Sequence, residues 1–235
     1  MTYRLKLFFK ILLTSIFILC IPVFLVTSNV RWVIDTPLLY SYGFDKYDTA
    51  ARTGIERAEL IKAGKLFRDY FNNDKELLQV RVVQNGVLRN LYNAKEIAHM
   101  VDVKDLVQGV FDTQIYLGIF LATFVGLGFL IYRLKWLRTL GELIALGGML
   151  TLALVVFVGL LSLIGFDKLF LAFHIISFDN NLWQLDPRRD MLLIMFPEGF
   201  FFDATMWIVG ATVVQAGILC LYKCWIWMKK LRLKI

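Results

Sequence analysis

Phe166–Asp203, reading FDKLFLAFHIISFDNNLWQLDPRRDMLLIMFPEGFFFD, is the stretch on which the fold turns. Long apolar runs flank it, yet it carries Asp179, Asp186, Arg188, Arg189, Asp190 and Glu198, too many charges for a membrane span. It also holds Phe170, Phe173, Phe178, Trp183, Phe196 and the run Phe200 to Phe202, too many rings for an ordinary loop. Rings and charges mixed between two apolar runs predict a segment at a membrane–water interface, where aromatic side chains settle at headgroup level. His174, one of the two histidines in the chain, lies inside it.

The composition around that stretch agrees with a membrane setting. Of 235 residues 58% are hydrophobic, and the mean hydropathy is +0.63. Both values point to an integral membrane protein rather than one or two soluble domains. Four runs reach the roughly 20 apolar residues a bilayer crossing needs: Leu5–Thr27, Gln114–Tyr132, Leu143–Phe166 and Ala204–Trp227. Basic residues set their orientation. Arg4, Lys6, Lys10, Arg133, Lys135, Arg138, Lys223, Lys229, Lys230, Arg232 and Lys234 fall on one side, with Glu142 as the single acid there. The other side holds fifteen basic and eighteen acidic residues. By the positive-inside rule both termini are cytoplasmic, and residues 28–113 and 167–203 lie outside. The net charge of +7 is therefore a matter of topology, and no nucleic-acid partner is expected. Leu5–Thr27 is read as an anchor, because its apolar run exceeds a signal-peptide core and Val26–Asn29 offers no A-x-A cleavage site. All three cysteines (Cys20, Cys220 and Cys224) lie in apolar runs, so no external disulfide is expected.

In the first external segment, Trp32, Tyr40, Tyr42 and Tyr47 read as an aromatic belt and an irregular connection. Thr53-Gly54-Ile55-Glu56 reads as a capping box that starts a helix, with Gly64 breaking it into two pieces. Leu77–Val83 and Val87–Tyr92 flank Gln84-Asn85-Gly86, and Asn-Gly between such runs signals a hairpin. Asn93 caps a further helix, with Glu96 closing the box. That helix runs unbroken into the second span and carries His99 out of the membrane. Gly118, Gly126, Gly128, Gly147, Gly148 and Gly159 read as close-packing positions between span helices.

Both histidines therefore lie outside, one on the stem of the second span and one just after the third. A lone histidine usually does no more than pack or hydrogen-bond at such an interface. Two at one depth make a pair available for proton transfer. Asp102 lies three residues after His99 on the same helical face, placed to orient the imidazole or to pair with Lys95 or Lys104. No His-Glu-x-x-His and no external cysteine supports a metal, and none of Ser28, Ser41 or Ser177 sits in a nucleophile elbow. With no strong enzyme nucleophile, the chemistry is expected to use one that the substrate supplies.

Glu96-Ile97-Ala98-His99-Met100-Val101-Asp102-Val103-Lys104, and Phe173-His174 followed by Phe178, Trp183, Asp190 and Phe196-Pro197, resemble the bacterial lipoprotein intramolecular transacylases, with Thr53-Gly54 and Glu59-Leu60 a weaker match. The resemblance runs over almost the whole chain. It implies transfer of the sn-2 acyl chain of a diacylglyceryl lipoprotein to the α-amine of its own N-terminal cysteine. It also implies two working histidines, which map to His99 and His174. Arg188, Arg189, Tyr40, Tyr42 and Trp183 are the candidate donors to an oxyanion. Phe173, Phe178, Asp102 and Asp190 complete the expected substrate-binding set.

The expected architecture is an integral membrane α-helical protein with four transmembrane helices, both ends cytoplasmic, and a small extracytoplasmic α+β cap over 28–113. A cytoplasmic loop covers 133–142, an interfacial aromatic segment 167–203 and a basic tail 228–235. The chain is expected in the bacterial plasma membrane as a monomer, with its site facing outside, without cofactor or metal, and with lipoprotein and membrane lipid as partners. The competing expectations are a non-enzymatic membrane binder or sensor and a metal-dependent lipid hydrolase.

Overall fold

The structure is a computed structural model that describes residues 3–162 and 165–232, with side chains described for 3–160 and 165–221. The side chains of Cys224 and of the expected tail at 228–235, the backbone of residues 233–235, and residues 163 and 164 of the expected third span fall outside these. Among the described residues the chain forms α1 Tyr3–Asp35, α2 Pro37–Lys46, α3 Thr49–Thr53, α4 Arg57–Phe71, β1 Arg81–Gln84, β2 Val87–Asn90, α5 Ala94–Tyr132, α6 Trp136–Ser162, α7 Phe166–Ser177, α8 Met191–Met195 and α9 Glu198–Arg232. Three helical stretches are long and apolar enough to cross a membrane: Tyr3–Asp35, Glu198–Leu221 and the 67-residue run Ala94–Leu160 that joins α5 to α6. A turn of 3-10 helix at Arg133–Lys135 interrupts that run, and Arg133 enters it with a φ of +51°.

The elements build two compact units, and α1, α5 and α9 contribute to both. The first comprises residues 1–29, 111–161 and 208–235. Phe17 of α1 stacks on Phe124 of α5 at 4.4 Å, and Trp136 closes on Phe124 at 5.6 Å. Ile21, Leu140 and Leu143 complete this core. Buried polar side chains tie α1 to α9: the Asn29 amide donates to Thr212 Oγ1 and to Gln215 Oε1, both at 2.9 Å. In apolar surroundings such bonds have no water to compete with them. Gly148 brings α6 close to α9, since a Cβ there would stand 2.9 Å from the Ala216 carbonyl oxygen. Gly126, expected to pack in the same way, faces open space.

The second unit comprises residues 30–110 and 162–207, and three expectations fail in it. The segment expected to be an irregular connection is helical: α1 continues to Asp35, and Pro37 then starts α2 at the position where its missing N–H costs nothing. Tyr40 and Phe44, one turn apart, are buried by that helix. Thr53 does not cap the helix that follows. It ends α3, Gly54 takes the left-handed conformation (φ +66°), and α4 begins only at Arg57. Gly64 does not break α4, which runs whole from Arg57 to Phe71. Its missing side chain instead admits the Phe44 ring, which a Cβ would meet at 3.1 Å.

The hairpin forms as expected, with Gln84 paired to Val87 and Asn85 and Gly86 both at positive φ, the requirement of a two-residue primed turn. Asn93 also caps as expected. Its Oδ1 accepts from the Lys95 and Glu96 N–H groups at 2.9 and 3.1 Å, and Glu96 Oε2 accepts from Asn93 N at 2.7 Å. From there α5 runs unbroken for 39 residues.

Candidate active site

Within the second unit, α5 and α7 bring the two histidines together. Their ring centroids lie 6.4 Å apart, although 75 positions separate them in sequence. His174 is one turn from Phe170 on α7, and its Nδ1 lies 2.7 Å from the Phe170 carbonyl oxygen. A carbonyl only accepts, so Nδ1 carries a hydrogen, and in the neutral form of the ring Nε2 holds the lone pair. The His174 ring is half-buried among Phe170 at 4.5 Å, Trp183 at 5.2 Å and Phe173 at 5.4 Å.

His99 is in a different condition. It is 5% exposed, and among the described residues its buried Nδ1 has no hydrogen-bond partner. Burial pushes its pKa down to about 4, with His174 and Lys95 adding to the fall and Asp102 opposing it. His99 is therefore a neutral imidazole at physiological pH. The Phe178 ring lies against both imidazoles, 5.2 Å from His99 and 5.8 Å from His174.

Asp102 pairs with neither lysine considered for it. It accepts from the Asn180 amide at 2.9 Å, which pins the chain just after Phe178 to α5. Lys95 donates to the Gln184 carbonyl, and Lys104 to the Lys75 carbonyl at 2.6 Å.

Asp190 is 3% exposed. It accepts from the Asn93 amide at 3.0 Å and from Asp186 N at 2.7 Å. Arg189 faces Asp186 and Asp190 at 4.0 and 3.6 Å, and the exposed Arg188 lies 3.4 Å from Asp186. Tyr40 is in the aromatic core against Phe67, Phe196 and Phe200. Its hydroxyl donates to the Ile34 carbonyl, and burial raises its pKa. Tyr42 stacks on Trp207 at 5.8 Å. Phe173, Phe178 and Trp183 thus touch the histidine pair directly, whereas the bonds of Tyr40, Arg188 and Arg189 are made elsewhere.

Sequence reasoning missed the fastening of this site. Glu96 is 1% exposed, and besides closing its own helix cap it accepts from Leu192 N at 2.6 Å. One carboxylate therefore caps both α5 and α8. The signal was present in part, because Asp190 stands just before MLLIM, where an N-cap residue belongs. A second cluster, Lys46 with both Asp203 oxygens at 2.7 and 2.8 Å and Tyr47 at 2.7 Å, holds α2 to the start of α9. Among the described residues no group of three His, Cys, Asp or Glu side chains converges on a metal-sized site.

Comparison with known proteins gives the arrangement its context. A protein from Aquifex aeolicus of uncharacterised function is 27% identical over 174 residues, 72% of this chain and 76% of its own. The membrane-integral lipoprotein intramolecular transacylase Lit from Bacillus cereus has the same fold, with a TM-score of 0.76 at 20% identity over 94% of this chain and 97% of the other. A structure of the same protein with one histidine replaced by alanine superposes with a TM-score of 0.73 at 21% identity, covering 96% and 99%. The sequence model of the family described as lipoprotein intramolecular transacylase Lit matches residues 15–201, and with that match over most of its length the chain belongs to the lipoprotein intramolecular transacylase family of membrane acyltransferases.

Proposed function

We propose that this protein moves the sn-2 acyl chain of a diacylglyceryl-modified lipoprotein onto the α-amine of the lipoprotein's own N-terminal cysteine, with His99 and His174 as the acid–base pair. The observation that carries this reading is the 6.4 Å approach of the two rings, with His174 Nδ1 committed to the Phe170 carbonyl. That bond leaves Nε2 of His174 as the base. It takes a proton from the cysteine amine as nitrogen attacks the sn-2 ester carbonyl and the C–N bond forms. The tetrahedral oxyanion then collapses, the bond from the acyl carbon to the glyceryl oxygen breaks, and the proton passes from His174 to that oxygen. The products are an amide and a free secondary hydroxyl, with no water consumed and no fatty acid released. His99, neutral because it is buried, has one N–H with which to stabilise the oxyanion. A single well-placed donor of this kind contributes about 3–4 kcal/mol in a well-studied protease.

The setting belongs to the same proposal. Four spans are favoured over three, because 67 residues of helix would reach about 100 Å against a hydrocarbon core of about 30 Å. The break at Arg133–Lys135 divides them into two crossings. With the basic residues inside, both ends are cytoplasmic and the histidines face outward from the plasma membrane. Residues 28–113 form an external cap, the tail 228–235 lies inside, and the protein acts as a monomer. α7 supports an interfacial place: Ile175 and Ile176 are 61% and 84% exposed, a surface suited to acyl chains rather than water.

The test uses the full-length protein in membranes with a diacylated lipoprotein. His99→Asn and His174→Asn are expected to lose at least 100-fold in rate, in line with the usual contribution of a positioned acid or base. The readout is the position of the acyl group by mass spectrometry. Full transfer by either variant, folded as the wild type is, would sink the histidine mechanism. Release of fatty acid that a chelator abolishes would replace it with metal-dependent hydrolysis.

A further inference from the structure

A cavity of about 320 Å³ opens beside the first turn of α5, lined by Asn93, Lys95, Arg189 and Asp190. Its charges are unequally occupied. Asp190 is buried and engaged by Asn93, Asp186 N and Arg189. Arg189 shares itself between Asp186 and Asp190. Among the described residues Lys95 has only the neutral Gln184 carbonyl as acceptor, and no carboxylate lies within ion-pair distance of it. An ammonium has three N–H groups, so the lining carries a cation with donor capacity to spare.

Two stretches of chain connect the lining of this cavity to the histidine pair. Lys95 is four residues before His99 on one face of α5, a rise of about 6 Å. The chain from Trp183 to Asp190 starts against the His174 ring at 5.2 Å and ends on the Asn93 amide. A group bound at the histidines therefore has a polar, cationic recess about two extended residues away, at roughly 3.4 Å for each.

This step rests on the acyl-transfer reading, because a lipoprotein continues as a polypeptide from the cysteine whose amine reacts. We infer that the cavity receives the first one or two residues after the lipid-bearing cysteine and favours an acidic side chain there. A peptide is preferred to a phospholipid phosphate because the polar end of the substrate lipid, its glyceryl group, is already accounted for at the histidines. The emerging chain is the part that still needs a polar exit.

The experiment uses the full chain in nanodiscs and diacylated lipopeptides bearing Asp, Ser or Lys after the cysteine, reading both binding and acyl transfer. Wild type is expected to favour Asp over Lys roughly two- to five-fold, the scale of a part-exposed charge pair. Lys95→Gln should bring the ratio near one, and Lys95→Glu should invert it. The ratio is internal to each variant, so a general loss of activity does not mimic the result. Charge-dependent binding without any transfer would overturn the acyl-transfer reading and leave the cavity's occupant standing. Equal ratios in wild type and Lys95→Glu, with transfer intact, would overturn the cavity assignment alone. Charge-independent lipopeptide binding that phosphatidylglycerol weakens in wild type but not in Lys95→Glu would overturn it in favour of a lipid headgroup.

Discussion

His99 is held neutral by its position rather than by a partner, and that has a measurable cost on acidification. Its pKa falls from 6.5 to about 4, chiefly through burial. Between those values the unfolded chain binds a proton at this residue and the folded chain does not, so stability rises with pH across that window and drops as pH falls through it. The full difference is roughly 3 kcal/mol at 1.36 kcal/mol per unit. Thermal unfolding in detergent should therefore show a larger loss of Tm from pH 7 to pH 4.5 for wild type than for His99→Gln. Equal losses would mean that water reaches the imidazole. The sequence located this histidine on a helix stem and put Asp102 on the same face. What it did not contain was the partner of Asp102, since Asn180 lies 78 positions away and only the folded loop after α7 presents its amide.

Between elements, the same four-residue pattern had two outcomes, and the second letter decided between them. Asn93-Ala94-Lys95-Glu96 caps α5 reciprocally. Thr53-Gly54-Ile55-Glu56 fails because Gly54 adopts the left-handed conformation that ends the preceding helix, the commonest way for a helix to stop. The hairpin was legible because Asn-Gly fixes its turn locally, whereas α2 was hidden because Tyr40 and Tyr42 read as part of a belt and an irregular connection, although Pro37 stands where a helix starts. Glycines in the spans were legible as a class but not one by one. A side chain at Gly148 meets the Ala216 carbonyl and Leu219 Cβ at 2.9 and 3.0 Å, and backbone cannot step aside. Gly148→Leu should part α6 from α9 and destabilise the protein by about 1–3 kcal/mol, the usual cost of overpacking. Gly126→Ala, with nothing within 4 Å of its added carbon, should leave Tm unchanged. A Tm of Gly148→Leu equal to wild type would show that the α6–α9 approach is looser than described.

For the whole molecule, the distribution of charge and the chain's breaks make one argument about topology. The Arg133–Lys135 turn joins two helices that together are too long for a single crossing, and it is basic, as a cytoplasmic loop should be. The hairpin turn at Asn85–Gly86 and both histidines fall in segments 28–113 and 167–203, which together hold eighteen acids against fifteen bases. Hydropathy alone made the spans legible, but the meeting of His99 and His174 was not. Sequence put them at one depth, and it took Phe178, the Asn180 bond and the Glu96 cap to set their separation. The topology is testable without reference to activity. With Cys20, Cys220 and Cys224 replaced by serine, Arg89→Cys on the exposed second strand should react with a membrane-impermeant maleimide in intact cells or spheroplasts. Arg138→Cys, just past the Arg133–Lys135 turn, should react only after the membrane is opened. The opposite pattern would put both termini outside and turn the histidine site toward the cytoplasm. Labelling of both positions in intact cells would mean that Ala94–Leu160 does not make two crossings.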